Sequence, residues 1–159
     1  MPLIAAGDID LHYESHGDGE PVVLVHGLGS SGADWAFQLP ALAARHRVIA
    51  PDLRGSGLSA KPPGRYSIAQ FADDVWRLLD ALAVERAHLV GFSLGGAVAL
   101  EMALQQPARA RHLVTINSLP SYRVDHWRKW LAVHAQPAAV GVPGVSRTAR
   151  GVAARLFPE

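Results

Sequence analysis

Ala87-His88-Leu89-Val90-Gly91-Phe92-Ser93-Leu94-Gly95-Gly96-Ala97-Val98-Ala99-Leu100-Glu101 carries more structural information than any other part of this chain. A short apolar run ends in a serine between two glycines, and a helix-forming run follows at once. The pattern G-x-S-x-G, placed between a strand and a helix, is a sharp elbow. A side chain at position 91 or 95 would strike neighbouring backbone, so Gly91 and Gly95 have to be glycine or nearly so. Ser93 is then held in a strained conformation with its hydroxyl pointing out of the sheet. A serine between glycines is often only a turn; the strand before it and the helix after it favour a nucleophile position. Such a hydroxyl is a weak nucleophile until a base and an orienting acid activate it.

Outward from the elbow, strands and helices alternate. Residues 3–6 and 9–15 read as two strands joined by the turn signal Gly7-Asp8. Pro21 to His26 is a continuous apolar run, as for a strand buried on both faces. Trp35 to Ala44 is predicted helical with Asp34 as its N-cap, and Arg47 to Pro51 is the next buried strand. Phe71, Val75, Leu78, Leu79 and Leu82 recur at three- and four-residue spacing and predict a helix from about Ile68 to Val84. The helix after Ser93 is expected to stop near Gln106, before Pro107, and His112 to Ile116 is the sixth strand. A hairpin followed by alternating strand and helix predicts an α/β protein with a mostly parallel sheet. Residues 122–136 and 145–157 are expected to be helical, on either side of Gly141-Val142-Pro143-Gly144, and no strand follows.

Composition narrows the function classes. The 159 residues leave room for one domain with a real core. A formal charge of +1, with Lys and Arg scattered, gives no sign of nucleic-acid binding. Without cysteine there are no disulfides, no thiolate chemistry and no Cys-type zinc site, and no metal is expected. Met1 to Asp8 lack the basic and apolar regions of a signal peptide. No apolar stretch approaches the ~18 residues needed to span a bilayer. A soluble, cytoplasmic protein is expected.

Two more motifs end the neighbouring strands: His26-Gly27-Leu28-Gly29 and Asp52-Leu53-Arg54-Gly55-Ser56-Gly57-Leu58-Ser59. Ligands of open α/β sheets gather at the carboxyl ends of strands, where all three motifs lie. With HG-x-G, D-x-R-G-x-G-x-S and G-x-S-x-G in this order and at ordinary spacing, residues 3–118 resemble an α/β-hydrolase-fold protein.

The resemblance implies Ser93 as nucleophile and an oxyanion hole made by the backbone N–H groups of Leu28 and Leu94. Such donors are typically worth ~3–4 kcal/mol each in the transition state. Gly91 and Gly95 would form the elbow, and His26 and Gly27 would shape the site. Residues 1–118 correspond to the first six strands of the core, with helices on both faces, and residues 119–159 to the start of a helical lid. A serine at the elbow argues against the haloalkane dehalogenases and epoxide hydrolases of this superfamily, which use aspartate there. What remains is acyl transfer on a small ester-type substrate (carboxylester, lactone or thioester), with no cofactor.

In this family the triad acid and base follow later strands, and neither is found in this chain. Those missing parts amount to on the order of 60 residues, so the chain looks truncated within its lid. The alternative is a non-catalytic remnant or a binding and associating fragment. An uncovered sixth strand would make self-association through the sheet edge an expectation.

The histidines present do not replace the base. His88 and His112 start their strands, at the wrong end of the sheet. His12 belongs to the hairpin, and His16 and His46 to exposed loops. His26 is expected to be a structural hydrogen-bonding group. His126 and His134, with Asp125, are expected on a solvated lid helix. One competing pattern is Gly27-Leu28-Gly29-Ser30-Ser31-Gly32 with Asp52, which fits a dinucleotide-binding fingerprint. It requires a helix starting inside the glycine motif, which would bury Pro40 deep in that helix at a cost of ~3 kcal/mol or more. It also leaves two strands ahead of the supposed first one and the serine elbow unexplained.

Overall fold

The structure, a computed structural model, describes residues 3–118. The expected lid, with Asp125, His126, Trp127, Trp130 and His134, lies outside the described residues. The strands are β1 (Leu3–Ala5), β2 (Asp10–His16), β3 (Glu20–Val25), β4 (His46–Pro51), β5 (Ala87–Phe92) and β6 (Ala110–Ile116). The helices are α1 (Leu39–Ala43), α2 (Ile68–Ala81) and α3 (Leu94–Gln105), with a 3₁₀ turn at Gly32–Trp35. One six-stranded sheet runs β1-β2-β4-β3-β5-β6. The pairs β1–β2 and β2–β4 are antiparallel, and β3–β4, β3–β5 and β5–β6 are parallel.

Alternation along the strands divides the core in two. Val23, Val25, Ile49, Ala87 and Leu89 face α2 and α3. Val22, Leu24, Val48 and Ala50 face Trp35 and Leu39 on the other side. Helices therefore cover both faces, which is why the central strands read as unbroken apolar runs. From β3 the chain crosses to β4 on one side and later returns to β5 on the other. The reversal opens a crevice at the carboxyl ends of β3 and β5, the usual ligand position in such sheets.

Two boundaries differ from the periodicity. The helix expected over Trp35–Ala44 is divided: a 3₁₀ turn ends at Trp35, and α1 begins at Leu39 with Pro40 in its first turn. Proline lacks an N–H and its ring clashes with the carbonyl four residues back, so it fits the first turn and not the interior. Asp34 does not cap this helix; its carboxylate accepts from Ser30 Oγ. At the other boundary, α2 is capped by Ser67 Oγ, which accepts from the Gln70 N–H at 3.1 Å. It ends at Ala81 rather than Val84, because Ala83 turns left-handed at φ 53°. The Val84 N–H then reaches the Leu79 carbonyl at 2.8 Å and the Ala83 N–H the Asp80 carbonyl at 3.0 Å. This double closure is a Schellman cap, usually built on glycine.

Among the described residues β6 has no neighbour beyond β5, and Leu113, Val114 and Ile116 are 37%, 49% and 38% exposed. No helix among the described residues is long and apolar enough to cross a membrane.

Because alanine carries a Cβ penalty in the left-handed region, Ala83→Gly should stabilise the chain by about 1 kcal/mol. Urea unfolding checks this; a destabilised variant would mean that the cap is not strained.

Candidate active site

The elbow is built by close approach. Ser93 has φ 52° and ψ −114°, a combination L residues rarely adopt. A Cβ at Gly91 would run into the Gly95 carbonyl, and a Cβ at Gly95 into the carbonyls of Val25 and His26. A third glycine, read from sequence only as part of the helix, is equally constrained: a Cβ at Gly96 would meet the Ser118 side chain. The Ser93 N–H bonds the Ile116 carbonyl at 2.9 Å, and its own carbonyl accepts from Gly96 N–H at 3.0 Å. Ser93 occupies the N-cap position of α3, yet its hydroxyl makes no capping bond and the residue is exposed. Leu94 is the first residue of α3, so its N–H has no acceptor within the helix and sits at the positive end of the helix dipole.

Across the crevice lies the loop after β3. Leu28 is 72% exposed and Gly29 takes φ 73°. A Cβ on Gly27 would stand 3.1 Å from the Phe92 ring, so glycine here lets the elbow and the loop approach. His26 is buried. Its Nε2 accepts from the Leu53 N–H at 3.0 Å, which assigns the ring proton to Nδ1, and that nitrogen donates to the Gly27 carbonyl at 2.7 Å. Both ring nitrogens are engaged, and the imidazole links the loops that follow β3 and β4. Burial holds the His26 pKa below the ordinary histidine value, against opposing pulls from the Gly27 carbonyl and from Asp52.

Asp52 organises the third loop. Its Oδ1 accepts from the Gly32 N–H at 2.7 Å, and its Oδ2 accepts from the Leu58 N–H at 2.8 Å and lies 2.9 Å from His12 Nδ1. Glycine at position 57 leaves room for this carboxylate. The dinucleotide reading is corrected here. The carboxylate that would bind a ribose is buried and filled by protein donors, and the last glycine of that fingerprint donates to it. No α-helix starts inside the glycine motif: only a 3₁₀ turn begins at Gly32, and α1 starts at Leu39. Sequence reading also missed the buried pair Arg54–Asp74, with Nε–Oδ2 at 2.5 Å and Nη2–Oδ1 at 2.6 Å. It fastens the same loop to α2; the only sequence signal was an acid on an otherwise apolar helix face.

The structure thus brings Leu28, Gly27 and His26 together with Gly91, Ser93, Leu94 and Gly95 at the ends of adjacent strands. It keeps His88 and His112 away: they lie near the amino ends of β5 and β6, and His12 is on β2, beyond β4.

These features define a class, the α/β hydrolases, and the chain belongs to that family: its model, described as alpha/beta hydrolase fold, matches residues 20–158. Among individual proteins, the chain is 45% identical over 117 residues to a protein of Azorhizobium caulinodans provisionally named carbamate hydrolase RutD, covering 74% of this chain and 44% of that protein. A crystal structure of a hydrolase from Pseudomonas aeruginosa matches with a TM-score of 0.83 and 36% identity, over 99% of this chain and 59% of the other. The enol-lactonase of Burkholderia xenovorans matches with a TM-score of 0.82 and 31% identity, over 97% of this chain and 59% of the other. The chain therefore spans about half the length of these relatives.

The buried imidazole has a consequence for stability. With its folded pKa depressed below the unfolded value of about 6.5, His26 binds a proton more readily when the chain is unfolded. Its contribution is present above that value and is lost as pH falls toward the folded pKa. Urea unfolding at pH 7.5 and 5.5 should show lower stability at the acid pH. In His26→Asn, less stable at both, this difference should shrink; an unchanged difference would exclude His26 as its source.

Proposed function

We propose that this chain carries the nucleophile and oxyanion hole of a serine hydrolase that acts by acyl transfer on a small ester-type substrate. The observation that carries the proposal is Ser93 at φ 52°, exposed, with its hydroxyl committed to no cap. Ser93 Oγ attacks the substrate carbonyl carbon while its proton passes to a base. The carbonyl oxygen becomes an oxyanion and accepts the N–H groups of Leu94 and Leu28, which lie on either side of the crevice. Collapse expels the alcohol, and water then releases the acyl group from Ser93. Helix α3 reinforces the Leu94 donor, because its dipole places partial positive charge at that end. The described residues supply no base for this step, since His26 has both nitrogens occupied. Names among the relatives fit the chemistry: a carbamate and a lactone each present a carbonyl carbon bonded to a heteroatom.

In the protein expressed from its whole coding sequence, Ser93→Ala should lower kcat/KM for p-nitrophenyl acetate by at least about a thousandfold. Undiminished turnover in that variant would sink the proposal. The 159-residue chain by itself should turn over little, and Ser93→Ala should change that little. Substantial Ser93-dependent turnover in it would direct attention to His126, His134 and His26, in that order.

One observation favours a second reading, a non-catalytic associating chain: the apolar residues Leu113, Val114 and Ile116 on the β6 edge are exposed. On this reading the 159-residue chain sediments as a dimer or larger, and Val114→Lys shifts it toward monomer. A native monomer would count against association.

A further inference from the structure

At the end of the sheet opposite Ser93, a second polar cluster stands clear of the proposed chemistry. Four residues of β5 lie between His88 and Ser93, and the five steps span roughly 17 Å of extended chain. Glu20, His46 and His88 share one face there, because Glu20 pairs with His46, and Val22 with His88. Their side chains lie on the same side as Val22 and Val48.

The β5–β6 register sets His112 beside His88, and a bulge adds Arg111. The register passes from Ala87↔Ala110 to Leu89↔Leu113, so His88 alone opposes both Arg111 and His112. In a regular strand those two side chains would point to opposite faces; a bulge re-aims one of them. Arg111 Nη1 consequently reaches Glu20 Oε1 at 2.5 Å. The ring of His112 stacks on His88, with centroids 4.9 Å apart and planes 11° apart, and the two Nδ1 atoms are 3.0 Å apart.

The hydrogen bonds assign the protons. His88 Nε2 lies 2.9 Å from Glu20 Oε2 and donates to that carboxylate. In the neutral ring its Nδ1 is then a bare lone pair, and His112 Nδ1 must present its proton to it. A carboxylate on the far nitrogen and a lone pair on the near one is how metal-bound histidines are commonly held. Two nitrogens bound at 2.0–2.1 Å to one tetrahedral ion lie about 3.3 Å apart, close to the separation found here.

We propose that His88 and His112 chelate a divalent transition-metal ion through their Nδ1 atoms, with Glu20 holding His88 in the coordinating tautomer. His112 is exposed, so its ring can turn out of the stack to aim its lone pair, and its proton moves from Nδ1 to Nε2 with none gained or lost. Glu20 offsets the charge of Arg111, which would otherwise repel a cation. Among the described residues no three His, Asp or Glu side chains enclose an ion, so this is a two-nitrogen chelate completed by solvent. Imidazole ligands select Cu²⁺, Ni²⁺ and Zn²⁺ over Mg²⁺, which demands oxygen. The two histidines are 24 positions apart, the same offset that pairs Leu89 with Leu113 and Phe92 with Ile116, so the parallel β5–β6 register makes them neighbours.

Isothermal titration of the untagged chain with NiCl₂ tests this directly. The native chain should bind Ni²⁺, CuCl₂ should bind more tightly, and MgCl₂ should give no heat. His88→Ala and His112→Ala should each weaken Ni²⁺ at least about tenfold, and Glu20→Gln should weaken it by a factor on the order of ten. His16→Ala, which alters an exposed histidine on β2, should not. Ni²⁺ should raise the thermal midpoint of the native chain and not that of His112→Ala. Because His112 is exposed, that variant should keep the native midpoint without metal, which separates loss of a ligand from loss of fold. Equal Ni²⁺ affinity in native and both alanine variants, or Mg²⁺ binding comparable to Ni²⁺, would overturn the proposal. None of these readouts depends on Ser93.

Discussion

The approach of the first turn of α3 to the end of β3 is the contact on which the rest depends. The Gly95 Cα stands where any side chain would strike the carbonyls of Val25 and His26, and Gly91 stands equally tight against Gly95. Only at this separation can β5 turn into α3 within one residue. That turn raises Ser93 above the sheet and aims the helix N-terminus into the crevice beside Leu28. A larger residue at either glycine would push the helix away from the sheet, and with it the Leu94 N–H. The cost of such a shift would fall on the site and on the apolar layer between α3 and the strands alike, because both use the same spacing.

Around this contact the loops are held by buried polar groups rather than by apolar packing. His26 ties the loop after β3 to the start of the loop after β4. Asp52 ties that second loop to Gly32 and to His12 on β2, and Arg54 ties it to Asp74 on α2. Buried hydrogen bonds of this kind add little net stability when complete and are expensive when broken. Their effect is to allow one loop geometry. The oxyanion donor proposed at Leu28 therefore belongs to a segment fixed from below, although Leu28 itself is largely exposed.

The sheet was legible because strand patterning and burial are two views of one fact: Pro21–Val25 and Val48–Pro51 are apolar throughout since helices lie on both sides. The elbow was legible because its glycines answer to local sterics within five residues. The helix over Trp35–Ala44 was misplaced because apolar spacing outweighed Pro40, whose backbone restriction sets where a helix can begin. The end of α2 was misplaced because a left-handed alanine carries no sequence signal. The uses of Asp52 and Asp74 were hidden for a different reason. Their partners Gly32, His12 and Arg54 lie 20 or 40 residues away, and no local pattern records a hydrogen bond made by the folded chain.

The backbone angles of Ser93 carry one more consequence. Its φ of 52° and ψ of −114° are those of the first corner residue in a type II′ turn, where glycine is the comfortable occupant. An L residue held there stores strain of order 1–3 kcal/mol. The fold would consequently gain if glycine replaced the residue proposed as the nucleophile. Stability and the proposed reactivity pull in opposite directions at this single position. A search for thermally hardened variants, made without regard to turnover, should drift toward glycine at 93 and so erase the hydroxyl while improving the scaffold that presents it.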